Sequence, residues 1–136
     1  AEFELKIHQL SETGEALTAQ RLCEIYYDLN KLYYGENMVV DQEIAMEWAR
    51  IPHFYRCFYV YQYATGFSAA MALSKRILTG GEAAVKDYLQ FLSGGCSTDP
   101  VSLLKIAGVD MSTPQPVSEA LELFGQLIDE LDELLR

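Results

Sequence analysis

A tyrosine-rich segment at residues 51–66, IPHFYRCFYVYQYATG, carries the side chains best suited to chemistry. It contains a histidine, His53, a single formal charge, Arg56, and a closely spaced set of tyrosines: Tyr55, Tyr59, Tyr61 and Tyr63. A buried tyrosine hydroxyl needs a hydrogen-bond partner, so tyrosine is an unusual choice for filling a core. Phenol and imidazole groups can instead donate to a peptide backbone or to a developing oxyanion. A core helix whose hydroxyls bond backbone carbonyls remains the alternative interpretation.

The helical periodicity of this segment predicts how its side chains are arranged. A helix running from about residue 54 to residue 78 would place Tyr55, Tyr59, Gln62 and Tyr63 on one face. Phe58, Tyr61 and Thr65 would fall on another face.

Other kinds of catalytic site find little support in the sequence. The two histidines, His8 and His53, do not form a His-Glu-x-x-His motif, so no zinc-binding helix is predicted. Glu4 and His8 are four residues apart, as are His53 and Cys57, but such pairs arise easily by chance. No Gly-x-Ser-x-Gly motif is present, and TGGE and SGGC lack the lysine of a phosphate-binding loop. We therefore expect no metal bound by this segment.

Charge and cysteine content limit the partners and the compartment. The chain has 20 acidic and 10 basic residues, a formal net charge of −10, which argues against nucleic acid or an anionic membrane surface as a partner. Cys23, Cys57 and Cys96 are widely spaced, and free thiols are typical of a reducing compartment. With no signal peptide visible at AEFELKIHQL, a cytoplasmic location is expected.

A membrane span is the one alternative raised by an uncharged stretch. Residues 57–74, CFYVYQYATGFSAAMALS, have about the minimum length for crossing a bilayer. The stretch is rich in tyrosine and serine and contains one leucine, so a buried helix of a soluble bundle is favoured and no membrane partner is expected.

Helix signals recur along the chain. Thr18 and Gly35 bracket one predicted helix, and Asp41 begins another that ends near Pro52. The long helix over residues 54–78 ends at a glycine pair, and the next, EAAVKDYLQFLSGG, ends at another. A short helix follows Asp99 and Pro100, with Gly108 just beyond its end.

The last predicted helix carries an apolar stripe at spacings of four and three: Val117, Leu121, Phe124, Ile128, Leu131 and Leu135. The stripe spans too few heptads for a coiled coil, so a helix that closes a bundle is the favoured interpretation. No stretch alternates at period two. The sequence predicts one all-α domain over residues 1–136, a bundle of about six helices around one long buried central helix.

Several motifs together resemble a known family. WARIPHFYRCFYVYQYATG, YLQFLSGG and DPVSLLKIAGVDM are similar to the oligoendopeptidase F branch of the thimet oligopeptidase family of zinc metallopeptidases. AEFE and LYYG extend the resemblance over essentially the whole chain. It implies a helical enzyme that cleaves short peptides in a deep channel, with zinc held by a His-Glu-x-x-His helix and a later glutamate.

The resemblance also implies roles for the aromatic segment. His53 matches the family histidine that contacts the substrate, and Tyr61 is the best match to the tyrosine that stabilises the transition state. Tyr55 and Tyr59 match substrate-binding positions. A donor aimed at the oxyanion stabilises charge that exists only in the transition state.

The zinc motif itself has no counterpart in this sequence. The chain resembles only the C-terminal part of such an enzyme, so we expect a piece of it: a truncation, a proteolytic remnant or a partial gene product. We expect zinc in the full-length enzyme, none bound by this segment, and no peptidase activity from it alone. The missing N-terminal part would be a partner, and the first helix would expose an apolar face that favours self-association. A stand-alone helical peptide-binding module without catalysis is the alternative.

Overall fold

Helices make up the regular structure of the chain, and the computed structural model describes residues 1–136. In order, the elements are α1 (Glu2–Glu12), α2 (Ala19–Tyr34), two 3-10 segments (Gln42–Arg50 and Pro52–Tyr55), α3 (Tyr61–Ser93), α4 (Pro100–Ile106) and α5 (Gln115–Leu135). No β-strand is present, so the all-α prediction is confirmed. A break at Gly81 divides α3 in two, which gives the six helices that were expected.

The chain divides into two units, Ala1–Gln62 and Tyr63–Arg136. We refer to them as the first and second units and describe each separately. That residues 1–136 form a single helical fragment, the C-terminal part of a larger catalytic domain, stays a prediction.

Helix ends follow the local signals in the sequence. The Thr18 side chain accepts a hydrogen bond from the Arg21 amide at 3.2 Å, and Asp99 accepts one from the Ser102 amide at 2.9 Å. Each bond satisfies a backbone donor that the first turn leaves free. Gly81 adopts a φ of 63° and a ψ of −156°, a conformation open almost only to glycine, and it interrupts α3 where the glycine pair predicted an end. Asp41 precedes a 3-10 segment rather than an α-helix, and its side chain makes no capping bond.

The predicted start of the long helix is wrong. Helix α3 begins at Tyr61, not near residue 54, because the chain before it follows an irregular path. Arg56 is extended, with φ −121° and ψ 105°, and Phe58 has a φ of 56° in the left-handed region. The aromatic and β-branched residues of this stretch are weak helix formers, so tertiary contacts decide its backbone conformation.

Helix α3 is long, as predicted, but it is buried only along its small residues. Ser68, Ala69 and Ala72 are buried, whereas Phe67 and Leu78 are largely exposed. The prediction of a buried helix is therefore wrong for its large apolar side chains. Small side chains let neighbouring segments approach closely, so this face packs without covering the rest of the helix.

The first unit has an aromatic core. Phe3, Ile25 and Leu29 are buried together, and further apolar side chains pack around them: Ile7, Leu10, Leu22, Tyr26, Trp48 and Phe54. The prediction that the first helix exposes an apolar face is wrong, because Phe3, Ile7 and Leu10 lie in this cluster, although Leu5 is exposed. Self-association through that face loses its basis.

The second unit has a core of small residues. Ala69, Ala72 and Val109 are buried together, with Leu73, Leu104 and Met111 packed against them. The apolar stripe of α5 does not close this core, since its large side chains remain exposed: Leu121, Phe124, Ile128, Leu131 and Leu135.

The possibility of a membrane span can be checked against the helices. None of them combines the length and the apolar character needed to cross a bilayer.

Candidate functional site

The aromatic segment of the first unit, residues 51–62, is joined by a series of short-range backbone bonds. The amides of Phe54, Arg56, Tyr59 and Gln62 donate to the carbonyls three residues earlier, at 3.0 to 3.3 Å. These bonds tighten the chain without forming an α-helix. As a result, the side chains are not arranged by helical periodicity, and the predicted shared face of Tyr55, Tyr59, Gln62 and Tyr63 does not exist.

Within this segment, His53 and Tyr59 are brought together. Their rings stack with centroids 5.4 Å apart and planes inclined by 18°. Both side chains are half-buried, so the stack limits the rotation of the imidazole. A ring held in one orientation can direct a nitrogen at a substrate without losing rotational freedom on binding.

Tyr55 and Tyr61 lie on either side of this stack along the chain. Tyr55 ends the second 3-10 segment and is 81% exposed, and Tyr61 begins α3 and is 49% exposed. Exposed phenols of this kind are accessible to a ligand.

Phe3 on α1 anchors the start of the segment. Its ring packs against Phe54, the neighbour of His53, with centroids 5.2 Å apart, and against Tyr26 in an edge-to-face arrangement at 5.1 Å. Aromatic pairs at these distances prefer specific relative orientations, and each is worth about 0.5–1.5 kcal/mol beyond the area it buries. The backbone next to His53 is therefore fixed by the aromatic core.

Glu4, the next residue on α1, anchors the middle of the segment. It is 1% exposed, and its Oε1 accepts a hydrogen bond from the Phe58 amide at 2.6 Å. A left-handed conformation costs a residue with a Cβ about 1–2 kcal/mol. The hydrogen bond to Glu4 satisfies the Phe58 amide in that conformation, which a buried backbone donor requires.

His8 supports the same anchor from one turn further along α1. Its ring packs against the Phe58 ring with centroids 4.5 Å apart, while its Nδ1 donates to the Glu4 carbonyl at 2.8 Å. The side chains of Glu4 and His8 thus serve local structure. His53 and Cys57, the other pair of possible ligands, do not share a helical face, because the chain between them is not helical.

The carboxylate of Glu47 holds Tyr26, one of the rings that pack against Phe3. The Tyr26 hydroxyl donates to Glu47 at 3.2 Å, and Glu47 also binds Arg50. Burial, together with the nearby Glu47 carboxylate, raises the pKa of Tyr26 above its ordinary value of 10.0. Tyr26 therefore keeps its proton, and its role as a donor, at neutral pH.

No group of three His, Cys, Asp or Glu side chains is arranged to hold a metal ion. The residues of this chain do not by themselves provide a zinc site.

Sequence reasoning missed the role of Glu4. An acidic residue next to Phe3, beside the apolar positions Ile7 and Leu10, is a weak signal of burial. Nothing in the sequence marks Phe58 as left-handed, since phenylalanine rarely adopts that conformation.

The sequence and the fold both match known peptidases. The sequence model of peptidase family M3 matches residues 1–123. Oligopeptidase PepF of Bacillus subtilis is 54% identical over 99% of this chain, and the chromosomal oligoendopeptidase F of Lactococcus lactis subsp. cremoris is 42% identical over 99% of it. The crystal structure of oligoendopeptidase-F from Enterococcus faecium, 45% identical, superimposes with a TM-score of 0.90 over 99% of this chain.

These matches cover only part of each relative. The chain spans 20% of the Bacillus protein, 22% of the Lactococcus protein and 26% of the Enterococcus chain. The family model nevertheless matches most of the chain, residues 1–123, and the chain belongs to peptidase family M3.

Proposed function

We propose that this chain is the C-terminal, substrate-binding part of a zinc-dependent oligoendopeptidase that hydrolyses short peptides. The observation that carries the proposal is the match of 99% of the chain, at 54% identity, to a protein named an oligopeptidase. The anchored aromatic segment supports it, because the segment presents phenol and imidazole donors on a backbone fixed from α1. We place the peptidase as a whole in the cytoplasm, a reducing compartment in which the three cysteines of this chain would stay free thiols.

His53 and Tyr61 are the proposed catalytic residues. When water attacks a peptide carbonyl, negative charge develops on its oxygen. A Tyr61 hydroxyl directed at that oxygen donates a hydrogen bond that is stronger in the transition state than in the bound substrate. His53, oriented by its stack on Tyr59, donates to the same intermediate or to the substrate backbone. Tyr55 and Tyr59 bind the peptide on either side.

Zinc belongs to the part of the peptidase outside this chain. The residues here do not fit a zinc site, so we place the ligands in the N-terminal part, which is the partner of this segment. When bound there, zinc would activate the attacking water. This segment alone is then inactive. The reading frame upstream of the Ala1 codon tests this directly: a His-Glu-x-x-His sequence supports the proposal, and an unrelated domain contradicts it.

Kinetics of the full-length peptidase test the catalytic roles. Tyr61→Phe should lower kcat by about 10²–10³-fold, the usual loss when one oxyanion donor is removed. His53→Ala should also lower kcat, and KM should change little in both variants, because the lost interactions belong to the transition state. Tyr34→Phe, which removes an exposed hydroxyl from α2, is the matched control and should leave kcat unchanged.

Unchanged turnover in both variants would contradict the catalytic assignment. If the same variants weakened peptide binding without any change in hydrolysis, the chain would be a peptide-binding module instead.

A further inference from the structure

Two adjacent residues of α1 hold the segment that carries the proposed catalytic groups. Phe3 packs on Phe54, one residue after His53, and Glu4 binds the amide of Phe58, one residue before Tyr59. The aromatic contact fixes the chain beside His53, and the hydrogen bond fixes it at Phe58. Glu4 is therefore the α1 side chain that acts on the backbone between His53 and Tyr61.

The backbone at Phe58 depends on this bond. At a φ of 56°, the residue reverses the direction of the chain between the extended Arg56 and the first turn of α3. Its amide is used by Glu4 rather than by a backbone carbonyl. Without an acceptor at this point, the Phe58 amide would need another partner, and the chain would relax toward a conformation with negative φ.

We propose that Glu4 is a positioning residue for the aromatic segment, with its buried carboxylate holding Phe58 left-handed so that His53 and Tyr61 face a peptide together. Glu4 does not touch the substrate. The inference rests on the proposed function of His53 and Tyr61. A displacement of about 1 Å at a reacting group can lower a rate about 10²-fold, so a residue acting only through the backbone can have a large kinetic effect.

The test compares kinetics in the full-length peptidase. Glu4→Ala removes the acceptor and should lower kcat about 10–100-fold with KM nearly unchanged. Glu4→Gln keeps an acceptor oxygen in the same place and should retain most of the activity. Adding Phe58→Gly to Glu4→Ala should restore part of the lost kcat, because glycine adopts positive φ without a Cβ penalty.

Two controls separate positioning from loss of stability. Leu103→Ala removes a buried side chain from α4 in the second unit, so it should lower the melting temperature but leave kcat unchanged well below that temperature. Glu12→Ala removes an exposed carboxylate from the same helix and should change neither quantity. If Glu4→Ala does not fold, Glu4→Asp serves in its place, since the shorter side chain withdraws the acceptor and should lower kcat.

Amide hydrogen exchange at Phe58 gives a readout that needs no activity. Exchange should be faster in Glu4→Ala than in Leu103→Ala. Faster exchange with unchanged kcat would overturn the positioning role, provided that Tyr61→Phe is still impaired. If Tyr61→Phe and His53→Ala are also fully active, the proposed function fails instead, and the exchange result still shows whether Glu4 holds the segment.

Discussion

The first and second units use their buried side chains differently. The first unit buries large aromatic and aliphatic residues around Phe3 and includes a buried carboxylate, Glu4. The second unit buries mainly alanines and Val109, and leaves the large side chains of α5 exposed. The first unit contains the irregular segment at residues 51–60, whereas the second is built mainly from α3, α4 and α5.

This difference follows from backbone hydrogen bonding. A helix satisfies its own backbone groups, so α3 and α5 need few side-chain partners to keep their conformation. The irregular segment has no continuous helical ladder, although some of its amides donate to carbonyls three residues earlier. Phe3 and Glu4 add contacts from α1, and Glu4 accepts the hydrogen bond of the Phe58 amide. The irregular segment and the proposed catalytic side chains thus lie in the unit whose core contains large aromatic side chains.

The largest predicted effect is a difference in stability between two phenylalanine substitutions, one in the core of the first unit and one on the surface of the second. Phe3→Ala should lower the free energy of unfolding of the first unit by about 3–5 kcal/mol, since it leaves a cavity in the aromatic core. Phe124→Ala, at a position 62% exposed on α5, should change stability by no more than about 0.5 kcal/mol.

Urea unfolding followed by tryptophan fluorescence measures the first unit, because Trp48 is the only tryptophan and lies in its core. A similar loss in both variants would show that the aromatic core is no more important to stability than the exposed stripe.

The next effect concerns two glycines of the second unit. Gly81→Ala should destabilise the chain by about 1–3 kcal/mol, because its φ and ψ lie in a region that alanine adopts only with strain. Gly125→Ala, inside α5 with open space around the added methyl group, should stabilise it by about 0.5–1 kcal/mol. Thermal unfolding followed by far-UV circular dichroism measures both. Equal signs for the two substitutions would contradict the break at Gly81.

The smallest predicted effect is a loss of stability of the second unit in acid. Hydrogen bonds from the Ser102 side chain and amide hold the pKa of Asp99 below its ordinary value of 3.8. Bonds from Ser112 do the same for Asp110, and bonds from Gln115 and Lys75 lower the pKa of Glu119. A lowered pKa in the folded state means that this stabilisation is present above the ordinary pKa and is lost as pH falls through the folded one.

The second unit should therefore become less stable below about pH 4. Asp99→Asn keeps a capping side chain that does not titrate, so its melting temperature should depend less on pH in this range. Melting curves recorded between about pH 2 and pH 6 would check this, and parallel pH profiles for the variant and the parent would contradict it.

Helix ends were predictable because their causes are local. Thr18, Asp99 and Gly81 act on backbone groups within a few residues, and the structure places each at the end or break that was expected. The start of α3 was not predictable in the same way. The chain before it includes a bond between Phe58 and Glu4, which lie 54 residues apart in the sequence and which no local signal indicates.

The candidate site also divides into features that were predictable and features that were not. The residue types of the aromatic segment identified it as a candidate site, but they did not predict which side chains lie together. Helical periodicity grouped Tyr55 with Tyr59, whereas the structure stacks Tyr59 on His53. That stack depends on an irregular backbone, which periodicity cannot represent. The roles of His53, Tyr55, Tyr59 and Tyr61 stay predictions.

The long separation between Glu4 and Phe58 also has a consequence for the order of folding. Helical turns form in less than a microsecond, whereas a contact across 54 residues must first overcome the entropy of closing that loop. We therefore expect the helical turns of α1 and α2 to form before the bond between Glu4 and Phe58, and the aromatic segment to reach its native conformation late in the folding of the first unit.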